Sequence, residues 1–214
     1  MPFNKASWPY NMKLPSTTGR IRACLLALTL AASASHATQA ESDVHNVRGV
    51  RFPDHHEVGS QSLQLNGAGV RVKFIISIYA AGLYLPRRES SLQAILSMPG
   101  AKSMQAVMLR DVTADDFVNA MIKGFKSNNS DDVVARYLPK LEELGALMSA
   151  TGSAKKGTTV HIDYLPGSGT QILVDGQRKA APIPGEEFYE GLLKIWLGNH
   201  PADSDLKAAL LGGK

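Results

Sequence analysis

Hydrophobic and polar positions alternate with period two through the N-terminal part of the chain. Val47, Gly49 and Arg51 alternate with Arg48, Val50 and Phe52 before Pro53-Asp54 turns the chain. Ser60 to Leu65 alternates again and runs into Asn66-Gly67, a turn signal. Val72 to Leu85, rich in Ile, Val, Tyr and Phe, reads as one long strand, because it is too β-branched for a comfortable helix. Ser91 to Met98 reads as a short helix ahead of Pro99-Gly100, and Met104 to Leu109 as a strand. The period then changes. Thr113-x-x-Asp116 resembles a helix-capping box, and Phe117, Ala120, Met121, Gly124 and Phe125 follow on one helical face. Asn128-Asn129-Ser130 breaks that helix. A second helical run carries Val133, Val134, Tyr137, Leu138, Leu141, Leu144 and Leu147, and Pro139 inside it is expected to kink or split it.

Two strands follow, Thr158 to Tyr164 and Thr170 to Val174, joined by Pro166-Gly-Ser-Gly169. Asp175-Gly176 marks a further turn. Gly185 to Leu197 is a helix with a wide apolar face, and Asp203 caps a last short one ending at Gly212. The order of strands, helices, strands and helices predicts an α+β fold with a largely antiparallel sheet.

The first 40 residues stand apart. They carry Lys5, Lys13, Arg20 and Arg22 and no acid, then the apolar run Ala23–Ala34, then small residues at Ser35, Ala37, Thr38 and Ala40. These are the three regions of a secretory signal peptide, with cleavage near Ala37 or Ala40 and a periplasmic or secreted product. The apolar run is short of the roughly 20 residues that span a bilayer, so no membrane span is expected after its removal. The expected organisation is a signal peptide over 1–40 and one domain over 41–214.

Charge and cysteine content follow that division. The whole chain has 23 basic and 19 acidic residues, but four of the basic ones lie in the first 40, so the remainder balances at 19 of each. The basic character belongs to the export signal, and neither nucleic acid nor an anionic membrane is an expected partner. Cys24 is the single cysteine and lies in the same segment, so the 174 remaining residues rely on a hydrophobic core and not on disulfides.

Several short motifs fail their structural context. Gly67-Ala-Gly69 has Val72 where a dinucleotide fingerprint needs glycine, and a strand follows it; a tight turn is the simpler account. Gly167-Ser-Gly169-Thr170 lacks the lysine of a phosphate loop and reads as a hairpin turn. His55 and His56 are adjacent and point to opposite faces of a strand, so they cannot chelate one ion. No ligand spacing in the chain matches a metal site, and no metal or other cofactor is expected. His161 and Asp163 share a strand face without a nucleophile motif, and a solvated face accounts for them.

A longer assembly of motifs is more specific. Gly67-Ala-Gly69-x-Arg71 precedes Lys73-Phe74 and Tyr79-Ala-Ala-Gly-Leu-Tyr-Leu85; Leu109-Arg110-Asp111-Val112-Thr113 leads into a helix; Ile195-Trp-Leu-Gly198-Asn-His-Pro201 precedes Asp205-Leu-Lys207. In order and spacing this resembles the chalcone isomerase superfamily, in particular its secreted bacterial chalcone-isomerase-like branch, from about Val50 to the C-terminus. The resemblance implies an open-faced β-sandwich, a large antiparallel sheet covered by a layer of helices with a cleft between them.

In the family's enzymes a chalcone phenolate adds to an enone while the protein stabilises the developing enolate. Carried over position by position, Arg71 matches the family's arginine and Tyr79 stands where the enzyme has threonine. The tyrosine, lysine and asparagine positions of the following helix are Phe117, Ala120 and Gly124, and the hydroxyl on the last long helix is Ile195. That face is apolar here, so no confident catalytic residue is assigned. Non-catalytic plant relatives bind fatty acids with an arginine and a tyrosine, which Arg71 and Tyr79 resemble.

The resemblance thus implies ligand-binding residues Arg71, Tyr79, Phe117, Ala120, Gly124, Ile195 and Trp196, with Met121 and either Phe74, Ile76 and Ile78 or their opposite-parity neighbours in the apolar wall. The expected function is binding of a small apolar carboxylic or fatty acid in the sheet–helix cleft. Two alternatives stand beside it. One is an isomerase or intramolecular lyase acting on a chalcone-like enone with Arg71, Tyr79 and Tyr84. The other is a ligand-free envelope protein that binds a partner or plays a structural role, with a closed, packed cleft. If 72–85 is one straight strand, Arg71 and Tyr79 share a face but lie about 26 Å apart, so lining one pocket requires a bend near Val70 to Lys73.

Overall fold

The computed structural model describes residues 44–149 and 152–213. The expected export segment lies outside the described residues.

The strands are β1 (Val44–Val47), β2 (Val50–Pro53), β3 (His55–Val58), β4 (Gln61–Lys73), β5 (Ile76–Leu85), β6 (Lys102–Met108), β7 (Val112–Thr113), β8 (Ser153–Ala154), β9 (Thr159–Leu165), β10 (Gly169–Val174) and β11 (Gln177–Arg178). The helices are α1 (Leu92–Leu96), α2 (Ala114–Asn128), α3 (Asp131–Ser149), α4 (Glu187–Leu197) and α5 (Ser204–Leu210). Seven strands form one antiparallel sheet in the order β11-β10-β9-β6-β5-β4-β3, and β1–β2 and β7–β8 form two small ribbons. The α+β class with a large antiparallel sheet is therefore the observed one.

The sheet curls. In a flat sheet β3 and β9 would be four strand spacings apart, roughly 19 Å. Instead the His56 ring on β3 stacks on the His161 ring on β9 with centroids 4.9 Å apart. The concave side is filled by Phe52, Leu63, Leu65, Ala80 and Tyr84, with the β1–β2 ribbon as a plug. Gly82 makes room for that plug, because a Cβ there would lie 2.7 Å from the Phe52 ring.

The other side carries the helices. Eight of the eleven residues of α4 are buried, among them Phe188, Leu192, Ile195 and Trp196, so it is a core helix with only a narrow charged stripe, Glu187, Glu190 and Lys194, toward solvent. Thr113 caps α2 as expected, its Oγ1 accepting from the Asp116 amide at 3.1 Å. Asn128 near the end of α2 donates to the Gly124 and His200 carbonyls and accepts from the His200 amide at 2.8 Å. That clamp explains Gly198-Asn-His200: a side chain at Gly198 would collide with Asn128.

Four expectations about local structure change. Val47 to Phe52 is a hairpin, with Arg48 (φ 53°) and Gly49 (φ 83°) in its turn. Gly67-Ala-Gly69 is no turn but the middle of β4, where the missing side chains let α5 lie on the strand. A Cβ on Gly67 would fall 2.0 Å from the Ala209 carbonyl oxygen. Asn66 sits at a bulge, donating to the Leu210 carbonyl at 2.7 Å and so tying the end of α5 to the same strand. Pro139 neither kinks nor splits α3, which is continuous. The Ala135 carbonyl that loses its donor is on an exposed turn, open to solvent. Val72 to Leu85 is two strands, treated below.

The seat of α5 on β4 gives a direct test. Gly67→Ala is expected to lower unfolding free energy by about 3 kcal/mol in urea melts, since the clash is with backbone. An unchanged midpoint would contradict this packing.

Candidate functional site

The site begins with a chain reversal. β4 and β5 are joined by the two residues Phe74 and Ile75, so Arg71 pairs directly with Tyr79 across the hairpin. The eight-residue separation that puts them far apart on one strand puts them side by side on two. Both face the helices, on the same face as Ala81 and Leu83. The Arg71 guanidinium lies over the Tyr79 ring, 5.6 Å from its centroid.

Trp196 of α4 completes this corner. Its indole N–H donates to the Tyr79 hydroxyl at 2.7 Å. An indole can only donate, so it fixes the phenol as acceptor in that bond and leaves the phenol proton free. Arg71 makes no hydrogen bond among the described residues, and its Nε is buried without a partner. Asp203, which caps α5, accepts from the Val72 amide at 2.8 Å and so anchors the strand next to Arg71.

Between the sheet and α2 and α4 lies a cavity of about 560 Å³. Of the expected binding residues, Arg71, Tyr79, Phe117, Ala120, Ile195 and Trp196 line it, as do Phe74, Ile76, Ile78 and Met121 of the expected wall. Arg110, Asp111 and Thr113 line it too, which gives the Leu109–Thr113 motif a place at the same cavity. Gly124 is not in the lining. Its missing side chain makes room for Ile195, whose Cγ2 would be 2.8 Å from a Cβ there. Gly124 and Ile195 thus fit each other: the glycine admits the isoleucine. Tyr84, offered for an isomerase, is on the opposite face with Phe52 and Ala80, so it cannot join Arg71 and Tyr79.

The electrostatics favour a neutral phenol beside a cation. Burial pushes the Tyr79 pKa up; the Arg71 charge and the Trp196 hydrogen bond pull it back in part, and Asp203 pushes it up again. Around neutrality Tyr79 is a hydrogen-bond donor next to a guanidinium. Together they suit an anion with two acceptor oxygens at the end of an apolar body.

The concave side holds a second polar group that adjacency in sequence hides. His55 and His56 do point to opposite faces, and His56 meets His161 and Asp163, whose potential ligating atoms lie within 4.8 Å of one another. Ser103 donates to Asp163 at 2.6 Å. Burial lowers the His161 pKa and raises that of Asp163. The imidazoles stack face to face, and a tetrahedral ion would need the three groups to close to about 3.4 Å.

A curled antiparallel sheet backed by helices, with a cationic corner at an apolar cavity between the layers, defines the class of protein. A family model described as chalcone isomerase-like matches residues 44–212, and the chain belongs to that family. Among solved structures the chain is similar to a fatty-acid binding protein from Arabidopsis thaliana, with a TM-score of 0.61 and 15% identity over 80% of this chain and 96% of that one. No curated protein matches.

The buried phenols predict alkaline behaviour. Burial is the main cause that raises Tyr79, Tyr84 and Tyr189 above the ordinary value. The unfolded chain loses these protons near pH 10 and the folded one does not. Stability is therefore fully present below about pH 10 and falls above it, by roughly 1.4 kcal/mol per pH unit for each such phenol. Urea melts at pH 8 and pH 11 check this; equal stabilities would show that the phenols are not buried as described.

Proposed function

We propose that this is a non-catalytic carrier that binds a small apolar or fatty acid between sheet and helices, with the carboxylate on Arg71 and Tyr79. The observation that carries the reading is the buried, unpartnered Arg71 Nε beside a phenol whose proton is free. An unmet buried donor costs about 1–3 kcal/mol, and a ligand carboxylate removes that cost. The apolar lining supplied by Phe117, Met121 and Ile195 suits the hydrocarbon part. Phe117, Ala120, Gly124 and Ile195, which stand where the enzymes have polar groups, support a binding role over ring closure. The name of the Arabidopsis relative as a fatty-acid binding protein adds support from the fold.

The carrier works outside the cytoplasm in this reading, after cleavage of residues 1–40. The mature protein would start after Ala37 or Ala40, and the mass of the chain recovered from a periplasmic fraction checks it. No helix among the described residues is long and apolar enough to cross a membrane.

Calorimetric titration with saturated fatty acids of graded length tests the site. Arg71→Ala is expected to weaken binding by about 10- to 100-fold, the loss of a charge-assisted hydrogen bond, and Tyr79→Phe by about fivefold. Saturating ligand should raise the melting temperature. A flat titration across the series contradicts the carrier; turnover of a chalcone that is lost in Arg71→Ala would point to the isomerase instead.

A further inference from the structure

The hairpin that creates the site also exposes its tip. Phe74 is 91% and Ile75 94% exposed, with Val72 and Ile76 also open to solvent. These are four of the six exposed large apolar side chains among the described residues, gathered on five consecutive positions. Phe74 has a φ of 59°. In a two-residue hairpin turn such a position favours glycine, and an aromatic residue is strained there. A strained, solvent-exposed phenylalanine costs folding stability, so the reason for it is functional.

Phe74 and Ile76 also line the cavity, so the tip stands at its mouth. Lys73 adjoins the tip and forms no ion pair among the described residues, and Arg110 lines the same mouth. The nearby acids have partners of their own: Asp111 has Lys155 and the Lys156 amide, Asp116 accepts from the Thr113 hydroxyl, and Asp203 accepts from the Val72 amide and the start of α5.

We propose that the Phe74–Ile75 tip inserts into a lipid bilayer surface, with Lys73 and Arg110 against anionic headgroups, and holds the cavity mouth at the membrane where its ligand is dissolved. This rests on the carrier reading and names the source of its ligand. A bilayer fits better than a protein partner on grounds of size. Two projecting side chains offer roughly 300–400 Å² of apolar surface, well under the approximately 800 Å² that each partner buries in a stable protein interface. A narrow apolar wedge flanked by cations is instead what an interfacial anchor requires.

Flotation with phosphatidylcholine vesicles, with and without phosphatidylglycerol, tests the proposal on the chain lacking residues 1–40. The protein should float with vesicles, more strongly with phosphatidylglycerol. Ile75→Ser should reduce partitioning at least tenfold while leaving dodecanoate affinity in solution unchanged, because Ile75 is not in the cavity lining. Phe74→Gly should reduce partitioning and raise the melting temperature by relieving the turn. Ile75→Cys carrying an environment-sensitive dye should shift to the blue on vesicles. Partitioning that is absent, or equal in wild type, Ile75→Ser and Phe74→Gly, overturns the tip as an anchor. If vesicles bind through the tip but dodecanoate does not bind in solution, the carrier reading fails and the anchor stands.

Discussion

The pairing of Arg71 with Tyr79 across the β4–β5 hairpin is the constraint on which the site depends. It places a guanidinium and a phenol in contact at one corner of an apolar cavity and leaves each with an unused donor. Three other features hold that corner. The indole of Trp196 fixes the phenol, Asp203 anchors the neighbouring strand amide, and Gly67 and Gly69 let α5 lie close enough to β4 for Asp203 to reach it. Each is local, and each comes from a different part of the chain.

The polar groups sit on a framework with two unequal sides. The curled side is closed by Phe52 over Gly82 and is a packed core. The helical side keeps a void because Ala120 leaves space and Ile195 takes up the room that Gly124 vacates. Ala120, Gly124 and Ile195 together therefore shape an apolar channel. The guanidinium of Arg71 over the Tyr79 ring leaves one cationic corner on it.

Much of this was legible in the sequence. The α2 cap at Thr113, the α5 cap at Asp203 and the strands around Gly167-Ser-Gly169 follow from local chemistry and occur as expected. The wall residues Phe117, Met121, Ile195 and Trp196 follow from periodicity and family resemblance, and they line the cavity. The hairpin does not follow. Its turn is Phe74-Ile75 and not a glycine or asparagine pair, so no punctuation marks the reversal and 72–85 reads as one strand. The contact of Gly67 with α5 depends on where the last helix docks, and that of His56 with His161 on sheet curl, and no local pattern encodes either. Pro139 shows the converse: a local rule predicts a break, and an exposed turn with access to water tolerates the lost bond.

The central claim is that the ligand's carboxylate lies at Arg71 and Tyr79. Isotope-filtered nuclear Overhauser spectroscopy of the complex with ¹³C-labelled dodecanoate tests it most directly. The account predicts that the methylene next to the carboxyl contacts the Tyr79 ring and that the remaining chain contacts Phe117 and Met121. A terminal methyl at Tyr79, or a ligand on the concave side against Tyr84, would contradict it.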